Sequence, residues 1–345
     1  MSTEADNVRR YKPDARGMYE VWYTTWNDPK TGQGFWLRFI IEAPVAGCGG
    51  VPGFGEATRG ELWFARFDPE RPENTFGIHK RFADVVSRDA PFRLTIAGCE
   101  LGHDHSFGEL AGGGHDVRWD LRWEPAAKTL RHFPDVMYTG ELGRSPTMVH
   151  APNPRVPMSG TLLVDGEEIV LDRAIAGQSH VWAKKHSISW TWAHCTDFEG
   201  VSDGLFELIA AKVKRGPITT PNLAMVSLDF DGEQHRLNQF RHVAMNRSSW
   251  STGKVEILAR SADVKVVAVL TCAPERMVNA PYVDPDGTEV FCANTEIGDA
   301  TITVSRRSGL RWAEHRRLEA RGRMHFEIGG HVRDPAITRP HVLVT

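Results

Sequence analysis

The chain has 345 residues, of which 41% are hydrophobic and 25% are charged, and its formal net charge is −3. This composition is that of an ordinary globular protein, and the length predicts two domains. Acidic and basic residues are interspersed, which argues against a nucleic-acid partner and against a polybasic membrane anchor. A neutral, hydrophobic small molecule stays open as a ligand.

The sequence shows no clear signal peptide, membrane-spanning segment or cysteine motif. Segment 1–16 is polar, without the apolar run of a signal peptide, and no stretch approaches the roughly 18 apolar residues of a membrane span. The five cysteines are scattered, and no CxxC pair occurs. Free thiols are therefore expected rather than a disulfide framework or a structural zinc site. We expect a cytoplasmic protein with no integral membrane segment, and the oligomeric state stays open.

Short segments rich in β-branched and aromatic residues, with a period of two, predict a mostly β protein. The predicted strands are 19–26, 35–42, 61–67, 92–97, 116–123, 161–164, 168–171, 187–195, 206–213, 224–230, 235–237, 254–259, 264–272, 301–305 and 323–328. Asp165 with Gly166, and Asp231 with Gly232, predict two-residue hairpin turns. Helical periodicity is weak, and 312–320 is the best helix candidate. Strands spaced in this way favour barrels or sandwiches.

A proline-rich segment at 146–157 predicts a linker. We place the domain boundary there, with one domain at 1–155 and a second at 156–345. Each part is large enough for one closed antiparallel barrel, a shape that can hold one ligand. A faint echo between His105-Ser-Phe107 and His180-Val-Trp182 would fit duplication of one barrel, although chance explains it nearly as well.

Histidine and tryptophan are concentrated at 177–195, which we interpret as two strands and a short turn. Alternation along a strand places every second side chain on one face. The bulky residues that this rule groups into one predicted wall are Gln178, His180, Trp182, Trp190, Trp192 and His194. The turn contains Lys184, Lys185 and His186, which are either solvated or part of the site.

This wall suggests acid–base chemistry beside aromatic rings. Histidine exchanges protons near neutral pH, and an indole face attracts a cation by about 0.5–2 kcal/mol. We predict His180 and His194 as catalytic groups, with Glu207 in the next strand as the acidic partner of His180. Asp197 and Glu199, in the intervening loop, are weaker alternatives for that partner. The predicted substrate-binding residues are Gln178, Trp182, His186, Trp190, Trp192 and His105. The alternative interpretation is that the tryptophans only pack a core and that His180 is a satisfied core histidine.

A second histidine-containing segment, Gly102-His103-Asp104-His105, offers metal-ligand residue types at short spacing. Alternation would place His103 and His105 on one side and Asp104 on the other. We therefore favour a polar loop near a ligand mouth and expect no metal. The sequence contains no GxSxG, phosphate-binding loop or GxGxxG before a helix, so no cofactor is predicted.

His180-Val-Trp182, followed by His186 and the strand Trp190-Thr-Trp192-Ala-His194-Cys195, resembles a known group. It is similar to the lipocalin-like superfamily of AttH proteins, carotenoid 1,2-hydratase (hydroxyneurosporene synthase) and, more distantly, tocopherol cyclase. Other segments that carry the likeness are Tyr19-Glu-Val-Trp22, Phe35-Trp36-Leu-Arg38 and Trp119-Asp120-Leu-Arg-Trp123. The resemblance implies two consecutive lipocalin-like (calycin) antiparallel β-barrels with a ligand pocket near their junction. It also implies that His180, Trp182 and a downstream acid, loosely Glu207, act in hydration of an isoprenoid double bond.

Three functions remain open at this point. The first is an acid-assisted hydratase or cyclase acting on an isoprenoid-like hydrophobic small molecule without a redox cofactor. The second is a non-catalytic lipocalin-like binding protein for a lipid or hydrophobic metabolite, and the third is a scaffold without ligand. An enzyme should place His180 beside an acidic side chain, both bordering a cavity. A carrier should have an apolar cavity, with His180 satisfied by the backbone.

Overall fold

The computed structural model describes residues 3–48, 55, 57–139, 147–215 and 217–344. Nearly all regular structure is extended. The strands are β1 (Met18–Asn27), β2 (Gly34–Ala43), β3 (Arg59–Phe67), β4 (Phe76–Phe82), β5 (Val85–Asp89), β6 (Phe92–Ile96), β7 (Cys99–Gly102), β8 (His105–Gly112), β9 (His115–Trp123), β10 (Leu130–Arg131), β11 (Thr147–Val164), β12 (Glu167–Ala183), β13 (Ser189–Cys195), β14 (Leu205–Lys212), β15 (Lys214–Arg215), β16 (Ile218–Thr219), β17 (Leu223–Phe230), β18 (Glu233–Leu237), β19 (Arg247–Ser251), β20 (Lys254–Arg260), β21 (Val264–Thr271), β22 (Val278–Val283), β23 (Glu289–Ser308), β24 (Arg311–Gly330) and β25 (His341–Val344). Among the described residues, the helical elements are one α-helical turn, α1 (Phe240–Val243), and short 3-10 helices at Thr3–Asp6, Pro72–Asn74, Asp135–Tyr138 and Pro274–Arg276.

The strands form two large sheets. The first has 13 strands in the order β25-β4-β3-β2-β1-β12-β11-β9-β8-β7-β6-β5, with β10 added on β11. The second has 10 strands in the order β18-β17-β14-β13-β24-β23-β21-β20-β19, with β22 added on β23, while β15 and β16 pair separately. Neighbouring strands are antiparallel, except that β25 returns from the end of the chain to pair parallel with β4.

Each sheet curls around its own apolar core. In the first sheet, Ile78 of β4 and Phe92 of β6 belong to one buried cluster although their strands lie near opposite edges. A Cβ built on Gly60 of β3 would lie 2.8 Å from the side chain of Ile96 in β6, so these edges approach each other closely. The second sheet has a separate core that includes Phe206 and Phe326.

A third apolar cluster lies between the sheets. It joins the outer face of β1–β3, for example Trp36 and Trp63, to Tyr282 of β22 and Val290 of β23. Both faces of β2 and β3 are consequently buried along their whole length. This explains why β2 reads as a nearly continuous hydrophobic run rather than as a clean alternation.

The prediction of a mostly β protein is confirmed, as are both hairpin turns. Asp165 and Gly166 have φ of 53° and 84°, and Asp231 and Gly232 have φ of 49° and 77°. Positive φ at both central residues is the geometry that matches the twist of paired strands. The helix candidate at 312–320 was wrong, because this segment is part of β24 and pairs with β23.

The predicted linker at 146–157 is also strand, apart from Pro146, which lies outside the described residues. Residues 147–157 form the first part of β11, and the expected boundary at 155/156 falls inside that strand. Pro152 and Pro154 lie at register shifts in the pairing of β11 with β12. Proline has no amide hydrogen for the ladder and is tolerated at such bulges, which is why a proline-rich segment could remain a strand. The chain passes from the first sheet to the second between residues 183 and 189.

The sequence predicted two closed barrels. The structure confirms two curled β-sheets but not their closure into barrels. Across the described residues, no ladder of hydrogen bonds joins the edge strands of either sheet into a closed ring. The described helices are all too short to cross a lipid bilayer. The five cysteines are free thiols, and four of them are buried.

Candidate active site

A cavity of about 820 Å³ lies between the two sheets. This volume is typical of small-molecule sites, which are mostly apolar with a few converging polar groups. The first sheet and the turn that follows it contribute Tyr19, Tyr23, Trp36, Arg38, Val149, Val181, Lys185 and His186. The second sheet contributes Trp190, Trp192, Ile209, Ala211, Leu223, Met225 and Glu327, and the loops and α1 add Phe133, Met137, Phe240 and Val243.

Strand alternation decides which residues reach the cavity. In β1, Trp22 and Trp26 point into the first core, so Tyr19 and Tyr23 point out of it toward the second sheet. The ring of Tyr23 meets the ring of Trp192 edge-on, with centroids 5.3 Å apart. Burial strongly raises the pKa of both Tyr19 and Tyr23, and nearby carboxylates add to this effect, so both phenols stay neutral hydrogen-bonding groups.

His186 lies on the cavity wall and is held by a buried carboxylate. Its Nδ1 lies 2.6 Å from Oδ1 of Asp284, and its backbone N–H also donates to that carboxylate. The imidazole stacks on Tyr19, with centroids 4.7 Å apart, and on Trp190, at 5.0 Å. Because Asp284 holds Nδ1, Nε2 is the ring atom left to exchange a proton with a molecule in the cavity.

Glu327 and Arg38 place a carboxylate and a guanidinium on the cavity wall. The Glu327 carboxylate accepts hydrogen bonds from the indole N–H of Trp190 at 2.7 Å and from the thiol of Cys292 at 3.3 Å. Nη1 of Arg38 donates to the hydroxyl of Tyr282 at 2.7 Å. Burial raises the pKa of the Tyr282 hydroxyl well above its usual value, so it is a neutral acceptor for this bond.

His180 and Gln178 lie on the other side of β12, under the N-terminal segment. Nε2 of His180 is 2.8 Å from Oε1 of Glu20, and Nδ1 is 2.8 Å from the carbonyl oxygen of Asp6. Gln178 exchanges hydrogen bonds with Asn7 and accepts one from Asn153. The predicted pairing of His180 with Glu207 is therefore wrong, and neither residue lines the cavity.

His194 and Glu207 form a separate buried network. Oε1 of Glu207 is 2.7 Å from Nδ1 of His194, and Oε2 is 3.0 Å from Nε2 of His132. Burial by itself raises the pKa of Glu207, but the two imidazoles outweigh burial and lower it to about 2. The pair lies beside the cavity wall, since the ring of His194 is parallel to that of Trp192 with centroids 6.0 Å apart.

The predicted single wall is consequently two surfaces. β12 belongs to the first sheet and β13 to the second, and they pack face to face rather than side by side. A Cβ built on Gly177 would lie 2.5 Å from the ring of His194, so the odd-numbered face of β12 meets β13. The even-numbered face, with Gln178, His180 and Trp182, points away, which period-two reasoning could not show without knowing the partner of each strand.

The structure brings His186, Trp190 and Trp192 to the cavity but leaves Trp182 and His105 elsewhere. The ring of Trp182 packs against His150 and His180. His105 lies between Asp104 and Glu100, at 2.7 and 2.8 Å. Among the residues that the structure describes, no group of three or more His, Cys, Asp or Glu side chains is arranged to hold a metal ion.

Sequence reasoning missed most of the cavity's polar groups. Asp284 and Glu327 lie about a hundred residues or more from 177–195, and no local signal connects them. Arg38 could have been recognised as a candidate from the sequence, because it interrupts the otherwise apolar centre of β2, Phe35-Trp36-Leu-Arg38-Phe39. A charged residue at the centre of a strand that is apolar on both faces calls for a specific partner.

The family sequence model described as tocopherol cyclase-like matches residues 16–330. Comparison with curated protein sequences found no match. The family match and the structures described next confirm the resemblance indicated by the His180-to-Cys195 segment.

Solved structures with the same fold cover nearly the whole chain. A Nitrosomonas europaea protein proposed to be an AttH is 13% identical, with a TM-score of 0.57 over 96% of this chain and 97% of that one. CghA, crystallised with Sch210972, is 10% identical, with a TM-score of 0.53 over 92% and 89% of the two chains. Kievitone hydratase from Nectria haematococca is 10% identical, with a TM-score of 0.50 over 90% and 88%. At such low sequence identities, these structural similarities show only that the fold is shared.

The position of Trp190 can be tested with two neighbouring glycines. A Cβ on Gly329 would lie 2.1 Å from the indole of Trp190, whereas the nearest atom to a Cβ on Gly330 is 3.6 Å away. We expect Gly329→Ala to lower the free energy of unfolding by about 1–3 kcal/mol through overpacking. Gly330→Ala should change it by less than about 0.5 kcal/mol. Urea unfolding of both variants checks this, and equal stabilities would contradict the described packing.

The Glu207 network predicts a pH-dependent stability. A carboxylate whose pKa is lower in the folded protein stabilises the fold above its unfolded pKa of about 4.5 and loses that contribution as the pH falls toward 2. Glu207→Gln should therefore lower the free energy of unfolding by about 1–3 kcal/mol at pH 7. The difference in the free energy of unfolding between this variant and the wild type, measured by urea unfolding, should become smaller between pH 5.5 and pH 4.

Glu168→Gln is the matched control, because Glu168 is exposed on β12. It should leave stability unchanged at each pH. A Glu207→Gln cost that is absent, or that stays constant down to pH 4, would show that the carboxylate is not held in its charged form by the two histidines.

Proposed function

The chain belongs to the tocopherol cyclase-like family, and from this premise we propose that it catalyses acid-assisted hydration or cyclisation of a hydrophobic, alkene-containing small molecule. The reaction takes place in the cavity between the two curled sheets, each of which corresponds to one lipocalin-like unit. The observation that carries the proposal is the His186–Asp284 pair on the wall of that cavity, stacked between aromatic rings.

The proposed step is redox-neutral. Protonated His186 donates its Nε2 proton to one carbon of a C=C bond, and water or a substrate hydroxyl adds to the other carbon. The proton released by that oxygen returns to Nε2, so hydrogen and oxygen add across the bond, or a ring closes, and no electron acceptor is required. The positive charge that develops lies among the aromatic side chains that line the cavity, where cation–π attraction lowers its energy.

Asp284 serves this step by positioning the histidine. Its carboxylate holds Nδ1 and fixes the orientation of the ring. The carboxylate is about 1% exposed, so its charge acts through a medium of low polarity, where it is felt more strongly than in water.

One observation favours the carrier function instead. Both nitrogens of His180 are occupied, by Glu20 and by the backbone of Asp6, and His180 does not border the cavity. A non-catalytic protein that encloses a lipid or hydrophobic metabolite would need only the apolar lining. The two functions differ in whether His186 changes the bound molecule.

The test uses acyclic isoprenoid alcohols, isoprenoid acids and prenylated phenols as probes, incubated with the protein in H₂¹⁸O. Binding is followed by tryptophan fluorescence and products by mass spectrometry. Hydration adds the mass of one labelled water, and cyclisation gives an isomer of unchanged mass and altered retention. His186→Gln should lower the turnover rate by about 10²- to 10⁴-fold, the usual contribution of a general acid–base group, with little change in affinity.

His315→Gln is the control, because His315 lies on β24, binds Glu233 and does not line the cavity. It should turn over the probes like the wild type. Binding of probes without any product assigns the carrier function. Turnover that His186→Gln leaves intact rejects the proposed mechanism, and absence of binding rejects both functions.

A further inference from the structure

We propose that the molecule bound in the cavity carries an acidic or enolic oxygen headgroup and that Arg38 binds this oxygen. The inference rests on the proposed function only for the location of the site. It specifies the chemical class of the ligand: an amphipathic molecule with an apolar body and one electron-rich oxygen group.

Arg38 is a cation held away from water on the cavity wall. Its side chain lies on the outer face of β2, is only 7% exposed and lines the cavity. Across the sheet it is paired with Tyr23 of β1 and Trp63 of β3. A guanidinium buried to this extent loses several kcal/mol of hydration, which an opposite charge or strong hydrogen bonds must offset.

Within the protein, that compensation comes from aromatic rings, the Tyr282 hydroxyl and the more distant Glu327 carboxylate, without a directly paired anion. Three aromatic rings surround the guanidinium carbon, at 4.7 Å for Trp36, 4.9 Å for Tyr282 and 5.1 Å for Trp63. These rings fix the plane of the group and offset some of the desolvation. Within the described ranges Arg38 forms no ion pair, and its Nε has no hydrogen-bond partner. Nε is shielded from the cavity, so a ligand oxygen would have to approach the Nη atoms of the guanidinium. A guanidinium held rigidly on a cavity wall is complementary to such an oxygen acceptor.

Glu327 does not take the place of that acceptor. Its two carboxylate oxygens accept hydrogen bonds from Trp190 and Cys292, and the carboxylate influences Arg38 from beyond ion-pair distance. Tyr19 lines the cavity close enough to Arg38 for the guanidinium to lower its pKa, against the larger effect of burial. The headgroup would therefore lie near Arg38 and Tyr19.

The rest of the cavity fits the apolar body of such a ligand. Phe133, Met137, Phe240 and Val243 also line the cavity, and Phe240 is 57% exposed. The other charged side chains of the lining differ from Arg38, since Lys185 is already paired with Asp286 at 2.8 Å and Lys214 is exposed. Among the arginine and lysine side chains of the lining, Arg38 is thus the one that a ligand oxygen would meet between aromatic rings.

The test compares farnesoic acid with farnesol, two probes with the same isoprenoid chain and different headgroups. Affinities are measured at pH 8, where the acid is ionised, by tryptophan fluorescence and calorimetry. The wild type should bind the acid about tenfold or more tightly than the alcohol, as expected for charge-assisted hydrogen bonds. Arg38→Met should abolish this preference while leaving the affinity for farnesol nearly unchanged. Arg38→Lys, which keeps the charge but loses the fork geometry, should retain part of it.

Lys214→Met is the control for non-specific attraction by an exposed lysine of the lining and should keep the full preference. A wild-type protein that binds both probes equally, or an Arg38→Met variant that still prefers the acid, would overturn the inference. Equal weakening of both probes by Arg38→Met, with Arg38→Lys behaving in the same way, would make Arg38 a structural residue and also overturn it. This experiment measures binding alone, whereas turnover is measured in the labelled-water experiment described above. If the protein prefers the acid but turns over none of the probes, only the catalytic proposal is rejected.

Discussion

Side chains on a β-strand alternate between two faces, and in β1 and β2 both faces are buried. One face, with Trp22 and Phe39, completes the core of the first sheet. The other, with Tyr19, Tyr23 and Arg38, lies against the second sheet and shapes the cavity. A shift of one residue in the register of either strand would exchange these two sets and place a charged group in the core. The same strands that stabilise the first sheet therefore also position the site.

Buried ionisable groups are the second constraint. Three buried networks of a carboxylate with histidine, described above, each join segments far apart in the chain. Glu20 holds His180 and the backbone of Arg10, Glu207 holds His194 and His132, and Asp284 holds His186. A buried charge is costly when it loses its partner, so these pairs restrict how the sheets can pack. Of the three, only the Asp284 network includes a residue that lines the cavity. Proximity to the cavity, rather than the presence of a histidine and an acid, separates a candidate catalytic pair from a structural one.

The local features of the sequence predicted most of the strands but missed others, such as β4 and β8, and predicted the site only in part. Asp-Gly turns and period-two segments are encoded within a few residues, so the hairpins at 165–166 and 231–232 and most strands were found. The length of β11 was missed because prolines that sit harmlessly at bulges look like a linker. The segment 177–195 did contain cavity residues, namely His186, Trp190 and Trp192. His180 was grouped with them because the sequence does not say that β12 and β13 pack face to face. Asp284 and Glu327 become neighbours of these residues only through the packing of the sheets.

The return of β25 to the edge of β4 has a consequence for how the chain folds during synthesis. The pairing of His341 with Gly77 closes a loop of more than 260 residues that contains the whole second sheet. Contacts of such long sequence separation form late and slow folding, because a large loop must be closed before they contribute stability. On the ribosome, β4 therefore remains an open edge, able to pair with strands of other chains, until residues 341–344 have emerged. The second sheet behaves as an insertion into the first, and the site between them is assembled only when both are present.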